Sequence, residues 1–219
     1  MSTEAAKPLR KTLRLPRLYP ILDISCFASA PDPTKAVVEF AKAIRSAGVN
    51  WLQYRNKSGN SREMLAHTRE LRRVLGEEVT LIMNDRADLA LAAGFDGVHV
   101  GQDDLPVDAV RTIVGPGGII GTSTHNPEQI CLADQTDADY LAIGPVFATA
   151  SKENPDPVVG LEGVRLARSL TTKPLVAIGG ITRANCRSVL DAGADSVAVI
   201  SDLVNNPRAS AEEFLRILL

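Results

Sequence analysis

The 219-residue sequence contains few aromatic residues, few cysteines and no long apolar run. Aromatic residues make up 4% of the chain, with a single Trp, so a surface that stacks nucleic-acid bases is not expected. Lys and Arg together number 24 against 26 Asp and Glu, which gives a formal net charge of -2. This balance does not favour a nucleic-acid-binding face, and we expect no nucleic-acid partner.

Cysteine and long apolar runs are also scarce. Cys26, Cys131 and Cys186 lie far apart, without a CxxC motif or the Cys/His spacing of a zinc site. We interpret them as reduced thiols, which predicts a cytoplasmic protein. No run approaches the roughly 18 apolar residues of a membrane-spanning helix, so no membrane partner is expected.

The first 17 residues are basic and contain no apolar run. Glu4 is their single acidic residue, against five cations: Lys7, Arg10, Lys11, Arg14 and Arg17. They lack the apolar core of a secretory signal. We therefore predict a flexible basic N-terminal arm over residues 1–17 and one catalytic domain over residues 18–219.

Apolar strand segments alternate with helical patterns through the rest of the chain. The first strand, Tyr19–Ser25, precedes a helix over Pro33–Ala47 that ends at Gly48. Later strands are expected at residues 50–55, 80–83, 98–100, 118–122, 140–146, 174–178 and 196–200. Later helices are expected at residues 61–75, 87–93, 107–114, 161–170 and 209–218, and beginning at Asn126-Pro127 and at Thr182.

A short motif recurs where a helix ends and a strand begins. It occupies residues 47–50, 93–96 and 192–195, with a weaker copy at 136–139. This regular winding predicts an α/β fold with a single TIM (β/α)8 barrel. The alternative, an open doubly wound sheet, would need a glycine-rich loop after an early strand, and Gly115–Gly118 instead precedes a strand.

Acidic residues follow two neighbouring strands of the predicted barrel. Asp85 comes after the third strand, and Asp103 and Asp104 come after the fourth. Parallel strands lie about 4.8 Å apart, so carboxylates past both carboxyl ends could hold one cation. Two carboxylates suit Mg2+ completed by substrate phosphates. The alternative is that these residues cap the helices that follow.

Cations are expected at the same rim. Arg55 and Lys57 follow the second strand, and Lys152 follows the sixth. Their convergence with the acidic residues fits a diphosphate, because Arg supplies a bidentate fork and Lys a point charge. Ordinary surface salt bridges are the alternative.

A second anion site is suggested after the seventh and eighth strands, the usual phosphate site of this fold. Gly179-Gly180 permits close approach of the backbone, and Thr182 is expected to begin a helix whose N-terminus favours phosphate. Ser201 adds a hydroxyl and an amide. The alternative is a simple tight turn. Of the histidines, only His125 is expected at the rim and is a candidate catalytic group.

Taken together, the rim motifs resemble those of the thiamine-phosphate synthase family. The similar segments span residues 53–57, 84–86, 97–104, 121–125, 144–147 with 149–152, and 179–181. They cover essentially the whole chain after the N-terminal arm. The chain departs from the family pattern at Asn56, where Glu is usual, and at Asp156–Val159.

The resemblance implies an enzyme that joins hydroxymethylpyrimidine diphosphate to a thiazole phosphate by a dissociative, Mg-assisted substitution. Asp85 and Asp104 would bind Mg2+. The pyrimidine diphosphate would contact Gln53, Tyr54, Arg55, Asn56, Lys57, Asn84, Ser123 and Lys152, with Arg55, Lys57, Ser123 and Lys152 as the catalytic residues. The thiazole phosphate would contact Thr149, Ala150, Ser151, Gly180, Ile200 and Ser201. These substrates are the expected partners, and a homo-oligomer is one option.

Three rival functions stay open. A thiazole tautomerase would need a rim base such as His125 and no carboxylate pair. A sugar-phosphate isomerase would use only the second anion site and would leave residues 53–57 unexplained. A binding or sensing barrel without activity would be marked by loss of metal or diphosphate ligands, and none is lost here.

Overall fold

The computed structural model describes residues 13–149 and 156–219, and it confirms the predicted α/β barrel. Eight parallel strands pair in chain order, and the last pairs with the first. The strands are β1 Leu18–Asp23, β2 Trp51–Arg55, β3 Thr80–Asn84, β4 Gly97–Val100, β5 Ile119–Thr124, β6 Tyr140–Ile143, β7 Leu175–Ile178 and β8 Ser196–Val199. The helices are α1 Pro33–Ser46, α2 Ser61–Leu75, α3 Ala87–Ala93, α4 Val107–Val114, α5 Pro127–Asp134, α6 Gly160–Leu170, α7 Cys186–Asp191 and α8 Pro207–Leu218.

Side chains alternate between the two faces of the barrel wall. In β2, Trp51 packs inside the barrel, whereas Leu52 and Tyr54 join the layer between strands and helices. The interior holds Tyr19, Ile21, Trp51, Ile82, Tyr140, Ala142, Val176 and Ala198. Leu13 and Leu15 of the predicted arm pack against this interior cluster, and residues 1–12 lie outside the described residues.

A clamp at the amino-terminal rim of the barrel explains three of the four copies of the recurring sequence motif, those that end in Asp. The carboxylate of Asp96, just before β4, accepts the amide of Leu81 at 2.7 Å and Nη2 of Arg72 at 2.6 Å. Asp139 and Asp195, just before β6 and β8, make the same two kinds of contact, the first with Ile120 and Arg111 and the second with Leu175 and Arg168. Each clamp therefore ties the start of one strand to the next strand and to the preceding helix.

The prediction that Thr182 begins the seventh helix is wrong. That helix begins at Cys186, and residues 182–185 form a turn. The turn is held by Oδ1 of Asn185, which accepts the amide of Thr182 at 2.8 Å. The phosphate-binding helix N-terminus expected at Thr182 is therefore not present at that residue.

The cysteines are all unpaired, as the sequence predicted. Cys26 and Cys131 are exposed, and Cys186 is buried. Across residues 13–149 and 156–219, no helix is both long and apolar enough to cross a membrane.

We expect Gly97→Ala to lower the free energy of unfolding by about 1–3 kcal/mol, because overpacking a strand forces the backbone to move. A Cβ at Gly97 would lie 2.2 Å from the carbonyl oxygen of Ile119 in the neighbouring strand. Urea unfolding measures the change. Gly117→Ala is the matched control, since a Cβ there would meet nothing within 4 Å. Equal stability of the two variants would contradict this account of how β4 and β5 pack.

Candidate active site

The carboxyl ends of the strands surround a cavity of about 490 Å3. Every strand, or the loop after it, contributes to the wall, because all the strands point the same way. The cavity brings together many of the predicted site residues: Gln53, Arg55, Lys57, Asn84, Asp85, Asp104, Ser123, Thr149, Gly180, Ile200 and Ser201.

Two of the predicted contacts, Tyr54 and Asn56, do not line the cavity. Alternation along the strand sends Tyr54 outward, where its hydroxyl lies 3.0 Å from Nδ1 of His67 and burial raises its pKa to about 12. Asn56 is buried, and its Oδ1 accepts the amide of Gly59 at 2.7 Å. Both side chains therefore support the loop that carries Lys57 rather than facing the cavity.

Three predicted contacts lie outside the described residues: Ala150, Ser151 and Lys152. The description resumes at Asp156, whose carboxylate lies 3.4 Å from Nε2 of His125. Nδ1 of His125 lies 2.6 Å from the carbonyl oxygen of Gly144, and a carbonyl can only accept, so Nδ1 carries a proton. His125 therefore lies at the cavity wall with its ring fixed by the backbone after β6.

Asp85 has an unusual backbone conformation that directs its side chain. Its φ is +63°, in the left-handed region, and its amide donates to the carbonyl oxygen of His99 at 2.8 Å. Asp tolerates this region better than most residues, and such conformations concentrate at functional sites. The turn places the Asp85 carboxylate 2.6 Å from Nζ of Lys57. It does not cap the next helix, because the residue before that helix is Arg86.

Asp85 and Asp104 face each other across the end of the sheet. Burial raises the pKa of Asp85 to about 6, with a further rise from Asp104 and an opposing effect of Lys57. Burial also acts to raise the pKa of Asp104, but the hydrogen bond with Asp85, the amide of Gly101 at 2.8 Å and the charge of Lys57 outweigh it and lower that pKa. Two neighbouring carboxylates that are partly buried repel each other. A proton or a cation between them relieves this repulsion and is therefore favoured.

The donor set around this pair fits Mg2+ that takes further oxygen ligands from substrate or water. Carboxylate oxygens are the preferred ligands of this ion. Nδ2 of Asn84, buried at the same cavity without a hydrogen-bond partner among the described residues, can donate to a substrate oxygen. Within the same described ranges, no group of three or more His, Cys, Asp or Glu could hold a metal alone. Asp85 and Asp104 therefore suit a shared ion rather than a closed structural site.

Asp23, at the end of β1, is a site residue that the sequence analysis missed. It is buried and forms an ion pair with Nη1 of Arg55. Its other oxygen accepts the amide of Ser25 at 3.0 Å and the Ser25 hydroxyl at 2.7 Å. Asp23 thus fixes the guanidinium of Arg55 at the cavity wall. The available signal was an acidic residue at the carboxyl end of an apolar strand.

A chain of polar side chains crosses the floor of the cavity. Gln53 Nε2 lies 2.9 Å from the Tyr19 hydroxyl, which lies 2.8 Å from the Tyr140 hydroxyl. His99 continues the chain, with Nδ1 3.0 Å from Tyr140 and Nε2 2.9 Å from the hydroxyl of Ser123. Burial lowers the pKa of His99 to about 4, so its ring is neutral near pH 7.

The opposite wall has the features of a second anion site. Gly180 has a φ of +63°, and a Cβ there would lie 2.5 Å from the carbonyl oxygen of Ala148, so only glycine fits. Asn185 donates Nδ2–H to the carbonyl oxygen of Gly180 at 3.0 Å, and Ser201 begins a 3-10 helix at the cavity wall. The amide of Arg183 is bonded to Asp202 at 2.9 Å, so an anion here would meet Gly180 and Ser201 instead.

Comparison with known proteins gives consistent matches. A family model described as thiamine monophosphate synthase matches residues 18–203. Thiamine-phosphate synthase of Koribacter versatilis (strain Ellin345) is 64% identical over 207 residues, covering 94% of this chain and 97% of that protein. The protein of the same name from Caldicellulosiruptor bescii is 40% identical over 184 residues, covering 83% and 84%. The solved structure of thiamine phosphate pyrophosphorylase from Pyrococcus furiosus gives a TM-score of 0.80 at 34% identity, covering 92% of this chain and 95% of that one.

The carboxyl pair predicts a pH-dependent cost to stability in metal-free buffer. Because the pKa of Asp85 rises from 3.8 to about 6 on folding, the folded state loses stability as the pH rises between these values. Asp85→Asn removes this loss, so we expect its free energy of unfolding at pH 7 to exceed that of the native chain by about 1–3 kcal/mol. Urea unfolding with EDTA at pH 4 and pH 7 measures the effect.

The matched control for this prediction is Asp88→Asn. A hydrogen bond from Arg86 lowers the pKa of Asp88, so its substitution should reduce stability at pH 7 rather than raise it. A gain for Asp85→Asn that is as large at pH 4 as at pH 7 would contradict the electrostatic explanation.

Proposed function

Since the chain belongs to the thiamine monophosphate synthase family, a family of transferase enzymes, we propose that it joins hydroxymethylpyrimidine diphosphate to a thiazole phosphate. The products are thiamine phosphate and diphosphate. The observation that carries this proposal is one cavity that combines a carboxylate pair and two cations with a second wall where the backbone leaves room only for glycine. One end holds the carboxylate pair with Arg55 and Lys57, and the other holds Gly180 and Ser201.

The diphosphate binds at the first end. Arg55 offers a guanidinium already oriented by Asp23, which suits bidentate contact with phosphate oxygens. Lys57 is 53% exposed and reaches the same wall, where it neutralises further charge. Lys152 is assigned to the same role, and Asn84 offers its buried amide. Bound Mg2+, held by Asp85 and Asp104, would supply Lewis-acid stabilisation of the leaving diphosphate.

The pyrimidine ring lies over the cavity floor between Gln53 and Ser123. The thiazole phosphate binds at the second end, against Gly180, Ile200 and Ser201, with Thr149, Ala150 and Ser151 from the loop after β6. A residue with a side chain could not replace Gly180, since the backbone passes too close. This arrangement holds two phosphorylated substrates in one cavity and supplies the proximity that a two-substrate reaction needs.

The reaction needs positioning and charge stabilisation more than acid–base chemistry. The bond between the pyrimidine methylene carbon and diphosphate oxygen breaks, and its electron pair leaves with the diphosphate. The resulting carbocation is stabilised by the aminopyrimidine ring, and the thiazole nitrogen donates its lone pair to form the new C–N bond. That nitrogen carries no proton to lose, so no general base is required. The fixed cations Arg55 and Lys57 stabilise charge as it develops on the leaving group.

The test is diphosphate release from the purified protein with both substrates and Mg2+, and with each omitted in turn. We expect release to require all three, with thiamine phosphate formed in equal amount. Release without the thiazole phosphate would show hydrolysis instead of coupling. Isomerisation of the thiazole without pyrimidine would indicate the tautomerase, and binding without turnover would indicate the sensor.

Asp104→Asn should lower the rate of diphosphate release about a hundredfold, a usual loss when one preorganised electrostatic contact is removed. The neutral amide keeps the shape of the side chain but weakens its attraction for a divalent cation. The rate is measured over a Mg2+ titration, with added Mg2+ expected to restore part of it. Asp108→Asn, at an exposed position in α4, is the control and should leave the rate unchanged. Full activity of Asp104→Asn in EDTA would refute the metal assignment.

A further inference from the structure

We infer that Tyr140 is a residue that positions the pyrimidine ring. It acts through the hydrogen bonds at the cavity floor, which leave the Ser123 hydroxyl as a donor toward that ring. The inference rests on the proposed function, because the pyrimidine is the ring proposed to lie between Gln53 and Ser123. Tyr140 is fully buried and is not among the residues that line the cavity. It can therefore affect a ligand only through its neighbours Tyr19 and His99.

Assigning one proton to each hydroxyl and one to the His99 ring gives these bonds a consistent set of donors and acceptors. Gln53 donates Nε2–H to the Tyr19 oxygen, and we assign the Tyr19 proton to the bond with Tyr140. Tyr140 then donates to Nδ1 of His99. A neutral His99 must carry its proton on Nε2, which donates to the oxygen of Ser123.

The two ends of the chain consequently present different groups to a ligand. The hydroxyl proton of Ser123 is not used within the chain, so Ser123 is a donor toward the cavity. Oε1 of Gln53 is likewise unused and serves as an acceptor. Neighbouring hydrogen bonds polarise one another, so the chain acts as a unit and both ends are set together.

The packing around Tyr140 fixes the position of its hydroxyl. A Cβ at Gly121 would lie 2.0 Å from Cζ and 2.4 Å from the hydroxyl oxygen of Tyr140. Glycine at this position therefore leaves the space in which the Tyr140 hydroxyl contacts His99. The ring also packs edge-on against Tyr19 and Trp51, at centroid distances of 6.0 and 6.5 Å. A buried hydroxyl destabilises a fold unless it is hydrogen-bonded, and a Phe would fill the same space without that cost.

The pattern at the two ends matches an aminopyrimidine. The exocyclic amino group can donate to Oε1 of Gln53, and an unprotonated ring nitrogen can accept from Ser123. A pyrimidinone presents a ring N–H and a carbonyl instead, so donor would meet donor and acceptor would meet acceptor. Sites that hydrogen-bond a specific edge discriminate strongly, because a mismatch leaves buried polar groups unpaired.

The first measurement is the 15N NMR spectrum of His99 in the native protein, which reports which ring nitrogen carries the proton and needs no turnover. We expect the Nε2–H form. The Nδ1–H form would mean that His99 donates to Tyr140 and that Ser123 donates to His99 instead of to the ligand, and it would overturn the inference. Because this readout does not depend on activity, it separates failure of the inference from failure of the proposed function.

The second measurement is steady-state kinetics of Tyr140→Phe. We expect the KM for the pyrimidine diphosphate to rise about tenfold, the effect of one hydrogen bond, while the KM for the thiazole phosphate and kcat stay close to native. Ser196→Ala is the matched control, since its buried hydroxyl in β8 has no partner among the described residues. It should leave all three constants unchanged.

Substrate analogues complete the test. Each ring nitrogen is replaced in turn by C–H, and one replacement should raise KM about tenfold in the native enzyme, because Ser123 loses its acceptor. The same replacement should add little to the defect of Tyr140→Phe, since the two changes remove one interaction. Additive effects, or an unchanged KM in Tyr140→Phe, would show that Tyr140 serves packing alone. A native enzyme that does not couple the substrates would refute the proposed function instead.

Discussion

The cavity depends on the register of the parallel strands, and the clamps at Asp96, Asp139 and Asp195 hold that register. An exposed Arg–Asp pair by itself stabilises a protein little. Each of these carboxylates also accepts a strand amide, however, so a one-residue slip would leave that amide unbonded. The same slip would turn every side chain of the strand to the opposite face. Which residues meet in the cavity is thus decided at the other end of the barrel.

The cavity brings together charged side chains whose positions depend on the backbone and on neighbouring residues. Asp85 faces a second carboxylate from a strained backbone conformation, and burial raises the pKa of the Asp85 carboxyl. Arg55 is held by Asp23, and Lys57 is carried by a loop that Asn56 supports. On the proposed function, a diphosphate with its cation would neutralise the facing carboxylates and cations at once and would therefore stabilise the folded protein.

Much of the fold could be predicted because strand and helix patterns alternate and glycines mark the helix ends. The rim residues could also be predicted, since polar residues that follow parallel strands meet at one edge. Alternation along the second strand correctly predicted Gln53, Arg55 and Lys57 in the cavity, whereas Tyr54 and Asn56 were expected there only because the family resemblance covers the whole segment 53–57. The role of Asp23 was missed because the first strand was expected to continue to Ser25, which places Asp23 within the strand instead of at its end. Tyr140 carries no signal, because a Tyr within an apolar strand is indistinguishable from core.

The three clamps also divide the barrel into repeating modules of two strands each: β3–β4, β5–β6 and β7–β8. The active site does not follow this division. Asp85 lies within a module, whereas Asp104 lies in the connection to the next, and Lys57 enters from the connection before. The loops that follow the strands at the cavity end can therefore change in sequence and length without disturbing the clamps, whose arginines lie in the last turns of α2, α4 and α6. The residues that fix the fold lie at the amino-terminal rim of the barrel. The residues that line the cavity lie at the opposite rim, where substitutions leave the clamps intact.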